Sequence, residues 1–228
     1  MPDFYGQISV FLERLARIAP ELGLATLETL YMVGLATFFS LLAGSALAVL
    51  LILTGPGGLR PMPRLYRVLD AAVNLGRSFP FIILLIAILP LTRLIAGTTI
   101  GSTASIVPLT IAAVPFVGRL MEGCLLEVDA GVIEAARSFG AGNARIIFRV
   151  LFPEALPPII LNAAVTAITL LGYSAMAGAV GGGGLGDLAI RYGYNRFQMD
   201  VMAYAVVILV VLVQIMQSAC NFLYKKLR

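Results

Sequence analysis

Glu134-Ala135-Ala136-Arg137-Ser138-Phe139-Gly140, followed nine residues on by Val150-Leu151-Phe152-Pro153, is the stretch on which the fold turns. It is a polar island in a chain otherwise nearly devoid of charge. Charged residues make up 12% of the 228 and hydrophobic ones 60%, against about 25% charged in a soluble domain. The deficit lies in uncharged runs at 29–59, 94–118, 155–186 and 201–224, with a shorter one at 78–92. A membrane-crossing helix needs roughly 20 mainly apolar residues, so the runs predict a polytopic helical membrane protein. They lack the alternation of a membrane barrel. The island must face water and is too short to be a domain. It reads as a docking surface through which a partner acts on the membrane part.

The expected architecture is an all-α membrane protein with five transmembrane helices, near 22–53, 67–92, 103–123, 154–179 and 201–223, and a short cytoplasmic helix between spans three and four. Pro56-Gly57-Gly58 and Pro61-Met62-Pro63 break the first connection. Basic residues set the orientation. Arg60, Arg64 and Arg67, then Arg137, Arg145 and Arg149, then Lys225, Lys226 and Arg228 fall on one side. Arg14, Arg17, Arg93, Arg191 and Arg196 fall on the other. The excess predicts a cytoplasmic C-terminus and an N-terminus outside. Span two holds Asp70 and Arg77 in its cytoplasmic half and is interrupted by Pro80. A charge within the membrane costs about 3 kcal/mol on insertion scales. Arg77 is therefore expected to pair with Asp70 or Glu122, or to snorkel; a place in a polar pathway is the other reading.

Residues 1–20 carry Asp3, Glu13, Arg14 and Arg17 among apolar positions, with Phe11, Leu15 and Ile18 at helical spacing. They read as an amphipathic helix on the membrane surface or as a loosely ordered tail, not as a secretory leader. The membrane domain proper is expected over 21–228. Histidine is absent, lysine occurs only at Lys225 and Lys226, and Cys124 and Cys220 are isolated. These absences argue against a phosphate-loop lysine, a His-based triad, a His-rich metal site and a disulfide framework.

Within the island, Asp129 is a good N-cap and Gly140 a good stop, some ten residues or about 15 Å of helix apart. Val132, Ile133, Ala136 and Phe139 form an apolar face, with Glu134 and Arg137 elsewhere. Ala141-Gly142-Asn143 turns the chain, and a second helical piece from Arg145 to Leu151 ends at Pro153. Composition and periodicity leave two readings open: a docking element, or an ordinary amphipathic connector.

The spacing decides between them. Glu134, Ala135, Ala136, Gly140 and Pro153 resemble the loop of ATP-binding-cassette importer permeases, whose form is EAA, three residues, G, nine residues, I-x-L-P. Val150 and Phe152 stand where that pattern has Ile and Leu, and both remain apolar. Arg77-Ser78-Phe79-Pro80-Phe81, Ile106-Val107-Pro108-Leu109-Thr110, Pro153-Glu154-Ala155-Leu156-Pro157, Gly172-Tyr173-Ser174-Ala175-Met176 and Tyr192-Gly193-Tyr194 resemble the methionine-importing members of that family, from about residue 22 to the end. The resemblance implies a permease subunit in a bacterial cytoplasmic (inner) membrane that works as a homodimer. It implies two cytoplasmic ATPase subunits carrying the ATP and magnesium, and a substrate-binding lipoprotein or periplasmic protein. No cofactor, metal or nucleic acid is expected on this chain, which meets membrane lipid and is not itself an enzyme. It also implies a coupling loop at about 124–153. There Glu134, Ala135, Ala136, Arg137, Gly140 and Pro153 would serve the ATPase contact, Glu134 by a polar contact and the small residues by close packing.

On span four, Asn162, Thr166, Thr169, Tyr173 and Met176 recur at spacings of three or four and form one stripe. They either line a wet translocation path or bond between helices. Met176 is the one large flexible side chain in a run of small residues; it is either an apolar gate between two copies or plain packing. The glycines from Gly181 to Gly184 allow a turn or a broken helix. They are not a phosphate cradle, since no Gly-Lys-Ser/Thr follows. Residues 191–200, with Tyr192, Tyr194 and Phe197, anchor an interface or touch a binding protein. An importer of another amino acid or small nutrient fits the same residues. A self-sufficient secondary transporter is expected to show inverted repeats or buried acidic pairs, and neither is visible in the sequence.

Overall fold

The computed structural model describes the backbone of residues 4–227 and the side chains of residues 15–226. The expectations placed on Asp3, Phe11, Glu13, Arg14 and Arg228 concern positions or side chains outside the described residues. Among the described residues there is no strand. The helices are α1 (Phe4–Thr54), α2 (Pro63–Ser78), α3 (Phe81–Ala87), α4 (Leu89–Ala96), α5 (Ser102–Leu126), α6 (Ala130–Ser138), α7 (Asn143–Ile146), α8 (Phe152–Glu154), α9 (Leu156–Gly178), α10 (Gly184–Leu188) and α11 (Met199–Leu227). Wide π-helical turns at Ile147–Leu151 and Ala189–Tyr194 follow α7 and α10.

Among the described residues, four stretches are long and apolar enough to cross a membrane: Leu15–Thr54, Ser102–Leu126, Leu156–Gly178 and Met199–Lys226. The segment expected as span two, over 67–92 with an interruption at Pro80, is bent sharply there. Phe79 precedes Pro80, and the proline ring drives its predecessor out of the helical region. Phe79 accordingly sits at φ −77, ψ 127. α2 stops there, and α3 restarts with a bend of 102°. Pro90 then opens α4, where a missing N–H costs nothing. No break marks residue 20: α1 runs on through Pro20.

Two compact units share the chain. The first comprises Met1–Ala36, Ile82–Leu109 and Thr169–Ile215. Its core gathers Leu22 and Ala25 of α1, Leu185 and Leu188 of α10, and Val201 and Tyr204 of α11. α9 and α10 meet backbone to backbone. A Cβ on Gly178 would lie 2.2 Å from Asp187 N, and one on Gly186 would lie 2.5 Å from Ala175 Cα. The second unit comprises Thr37–Phe81, Thr110–Ile168 and Met216–Arg228. Here Gly44 of α1 faces Val117 of α5, Gly118 faces Leu47, and Gly76 of α2 faces Pro115, each too close to admit a Cβ without movement. Small residues at such crossings let helices gain dispersion contact where lipid offers no hydrophobic drive.

Gly186→Ala should therefore lower stability by about 1–3 kcal/mol, because the methyl meets backbone that cannot swing away. Gly23→Ala, with nothing within 4 Å of the added carbon, should leave stability unchanged or raise it by up to about 1 kcal/mol. Thermal unfolding in detergent compares them, and equal midpoints would refute the packing account.

Candidate functional site

α6 is built by its ends. Asp129 Oδ1 accepts the Gly131 N–H at 2.7 Å, satisfying a donor that the helix start leaves free. At the other end Gly140 N–H bonds to Arg137 O at 2.8 Å and Ala141 N–H to Ala136 O at 3.0 Å. This pair is the Schellman closure, which needs a left-handed residue between cap and exit. Gly140 supplies it at φ +77. The glycine six positions after Glu134 is thus fixed by backbone geometry. No residue of α6 is buried, and Phe139 is 90% exposed. Its expected apolar face is therefore largely uncovered by its own chain.

The return path is stiffer. Asn143 Nδ2 donates to Leu59 O at 3.4 Å. Ile146, Ile147 and Leu151 are buried, and Phe148 stacks on Phe152 with ring centres 5.9 Å apart. The π turn lies directly before Pro153, which has no N–H to donate; Phe152 N–H reaches back to Ile147 O instead. The single helical piece expected from Arg145 to Leu151 is therefore α7 plus this wide turn, and Pro153 lies in the first turn of α8.

Behind α6 lies a cavity of about 310 Å³ whose lining includes Ile133, Glu134, Arg137, Tyr66 and Glu122. Beside it stands a triad that sequence reasoning missed. Arg119 of α5 pairs with Asp70 of α2 and, at 2.7 Å, with Glu122 one turn on. Asn74 Nδ2 donates to Asp70 Oδ2 at 3.1 Å. Asp70 and Glu122 are thus bound to Arg119, not to Arg77, which lies exposed in the last turn of α2. Arg119 and Glu122, three apart on a helix, were the readable signal. Two carboxylates do meet here, one of them buried, with a guanidinium between them.

The α9 stripe divides by environment. Asn162 Nδ2 donates to Cys124 Sγ of α5 at 2.9 Å. Thr166 is 1% exposed and donates to Asn162 O at 2.8 Å. Asn162 thus bonds across to α5, while Thr166 bonds back within α9. Thr169 and Tyr173 are half-buried, and Met176 is 49% exposed. Farther on, Tyr192 is flanked by two guanidinium groups, Arg196 at 4.5 Å and Arg191 at 5.3 Å from its ring centre. Among the described residues no cluster of ligating side chains suits a metal ion.

The chain belongs to the binding-protein-dependent transport system inner membrane components, whose family model matches residues 41–228. It is 54% identical over 202 residues to the probable D-methionine transport system permease protein MetI of Vibrio cholerae serotype O1, covering 89% of this chain and 90% of that one. Its counterpart in Pasteurella multocida is 48% identical over 210 residues, covering 92% and 97%. Among solved structures, an inward facing MetNI methionine ABC transporter matches with a TM-score of 0.89 at 46% identity, covering 91% of this chain and 96% of that chain.

Arg119→Met would strand two carboxylates, Glu122 at 5% and Asp70 at 35% side-chain exposure. The loss should be about 3 kcal/mol, at the lower end for a broken buried pair because Asp70 is partly solvated. Adding Asp70→Asn and Glu122→Gln should restore most of it. Detergent unfolding of the single and triple variants checks this; a triple variant no better than the single one would contradict it.

Proposed function

We propose that the chain is the permease subunit of an ATP-driven methionine importer, forming the translocation path as a homodimer. Two cytoplasmic ATPase subunits bind and hydrolyse the ATP with its magnesium, and a substrate-binding lipoprotein or periplasmic protein delivers the cargo. The observation that carries this reading is α6: closed at both ends, buried nowhere, and bearing the Glu134-Ala135-Ala136 and Gly140 spacing with Pro153 at the far end. The methionine assignment rests on the likeness to permeases named for D-methionine transport.

On this reading residues 21–228 form the membrane domain, with five spans if α2 and α3 are counted as one broken crossing. The N-terminus lies outside and the C-terminus in the cytoplasm, as the arginine-bearing loops suggest. The amphipathic segment 1–20 lies ahead of the first span. α6 is the coupling helix and seats in a groove of the ATPase. Ala135 and Ala136 allow close approach, Glu134 and Arg137 offer polar contacts, and Phe139 fills an apolar recess. Movement of α6 passes through the buried Ile146–Leu151 stretch and Pro153 to α9. The stripe of Thr169, Tyr173 and Met176 borders the path, with Asn162 and Thr166 at its bonded end. Met176 from two copies narrows it to a gate.

Vesicles holding chain, ATPase and binding protein should accumulate labelled methionine only with ATP; both stereoisomers and rival amino acids define the substrate. Accumulation by the chain alone, or none of methionine by the complex, would refute the proposal. Gly140→Arg places a bulky side chain at φ +77, a conformation costing about 1–3 kcal/mol. It should cut ATPase co-purification and uptake together by at least about tenfold; intact binding and uptake would exclude α6 as the contact. Met176→Ala should raise leak of substrate without ATP. Unchanged leak and coupling would remove the gate.

A further inference from the structure

The glycine loop between α9 and α10 is held from outside by α1. Glu28 Oε2 accepts the Gly184 N–H at 2.8 Å, and Thr29 Oγ1 accepts the next amide, Leu185 N–H, at 2.9 Å. These partners stand 156 residues apart in sequence. The Thr29 hydroxyl proton is spent on Ala25 O at 2.9 Å, so its lone pairs face Leu185. Thr29 is 1% exposed, where an unmet amide is costly.

The loop is shaped to reach these acceptors. Gly183 and Gly184 both lie at positive φ, +77 and +74. A Cβ on Gly184 would strike Thr29 Oγ1 and Met32 Cε at 2.5 Å, and one on Gly183 would come within 3.0 Å of Glu28 Oε2. Ser105 of α5 binds the other flank, donating to Gly182 O at 3.2 Å. The loop leads straight out of the end of α9: Ala179 N–H bonds to Met176 O at 3.1 Å, and Gly182 N–H to Ala177 O at 2.9 Å.

The geometry points to Glu28 and Thr29 as positioning residues: a latch on α1 that fixes the glycine loop and, through it, the stance of Met176. Met176 lies in the last turn of α9 and its carbonyl accepts the Ala179 N–H, so a displacement of the loop is passed to that turn. When the two amides are released, the loop moves and the path loosens. The link to the path rests on the transport reading above; the latch itself does not.

Two measurements test it. In the full-length chain in detergent, hydrogen exchange at Gly184 and Leu185 should speed up roughly tenfold in Glu28→Ala and in Thr29→Val, as expected for loss of one such bond. Glu28→Gln and Thr29→Ser keep an oxygen acceptor and should stay near wild type. In vesicles holding the assembled transporter without ATP, Glu28→Ala and Thr29→Val should raise methionine leak several-fold, with ATPase co-purification unchanged. Unchanged exchange in both variants overturns the latch. So does faster exchange without added leak, or Thr29→Ser leaking as much as Thr29→Val. If the wild-type complex moves no methionine, the transport reading falls, while exchange still decides whether the latch exists.

Discussion

A nine-residue helix with no buried side chain persists because both of its ends are closed by its own chain. Isolated helices shorter than about 12–15 residues are marginal in water. α6 therefore depends on Asp129 at its start and the Gly140 closure at its end. It satisfies its terminal backbone groups without fully burying any side chain. That separation leaves Glu134, Arg137 and Phe139 free for another surface. On the proposed reading every functional step begins there.

A related economy operates at several places where this chain leaves regular helix. Backbone groups inside a bilayer find no water, so irregular segments survive only where the protein supplies partners. The glycine loop meets Glu28, Thr29 and Ser105. The break at Phe79 and Pro80 falls where the proline has no N–H to satisfy. The turn before Pro153 widens so that Phe152 still finds an acceptor. At the glycine loop specific partners meet the free backbone groups, while at Pro80 the break falls where no donor is left over.

This explains what was legible in the sequence. Asp129, Gly140 and Pro153 act on neighbours within one or two turns, so spacing alone located α6 and the end of the loop. The apolar runs at 94–118, 155–186 and 201–224 announced α5, α9 and α11, because span length is a local property. For span two, Pro80 marked the interruption, but the size of the bend there is conformational and leaves hydropathy untouched. Arg119 was missed for another reason. Its partners lie on two helices, and only packing of α2 against α5 brings Asp70 to it. Glu28 and Thr29 are the extreme case. Nothing around residue 28 hints at amides 156 positions away.

How a helix so loosely attached to its own chain could transmit force follows from what flanks it. A connection that deformed would absorb displacement. After Gly140 the chain turns within a few residues and is tied by Asn143 to Leu59 O. Ile146, Ile147 and Leu151 are then buried, and the Phe148–Phe152 stack braces the π turn. Packed side chains behave as solid, since interiors are dense and resist compression. α6 is thus a free face on a stiff stem, able to be pushed because its side chains are uncommitted and able to push because its exit is not. The Arg119 triad beside the cavity behind α6 holds α2 to α5 at the same level. A load arriving through α6 would therefore meet braced helices and not a fluid core. On the proposed reading, coupling by rigid elements with discrete arrangements would travel through this stem.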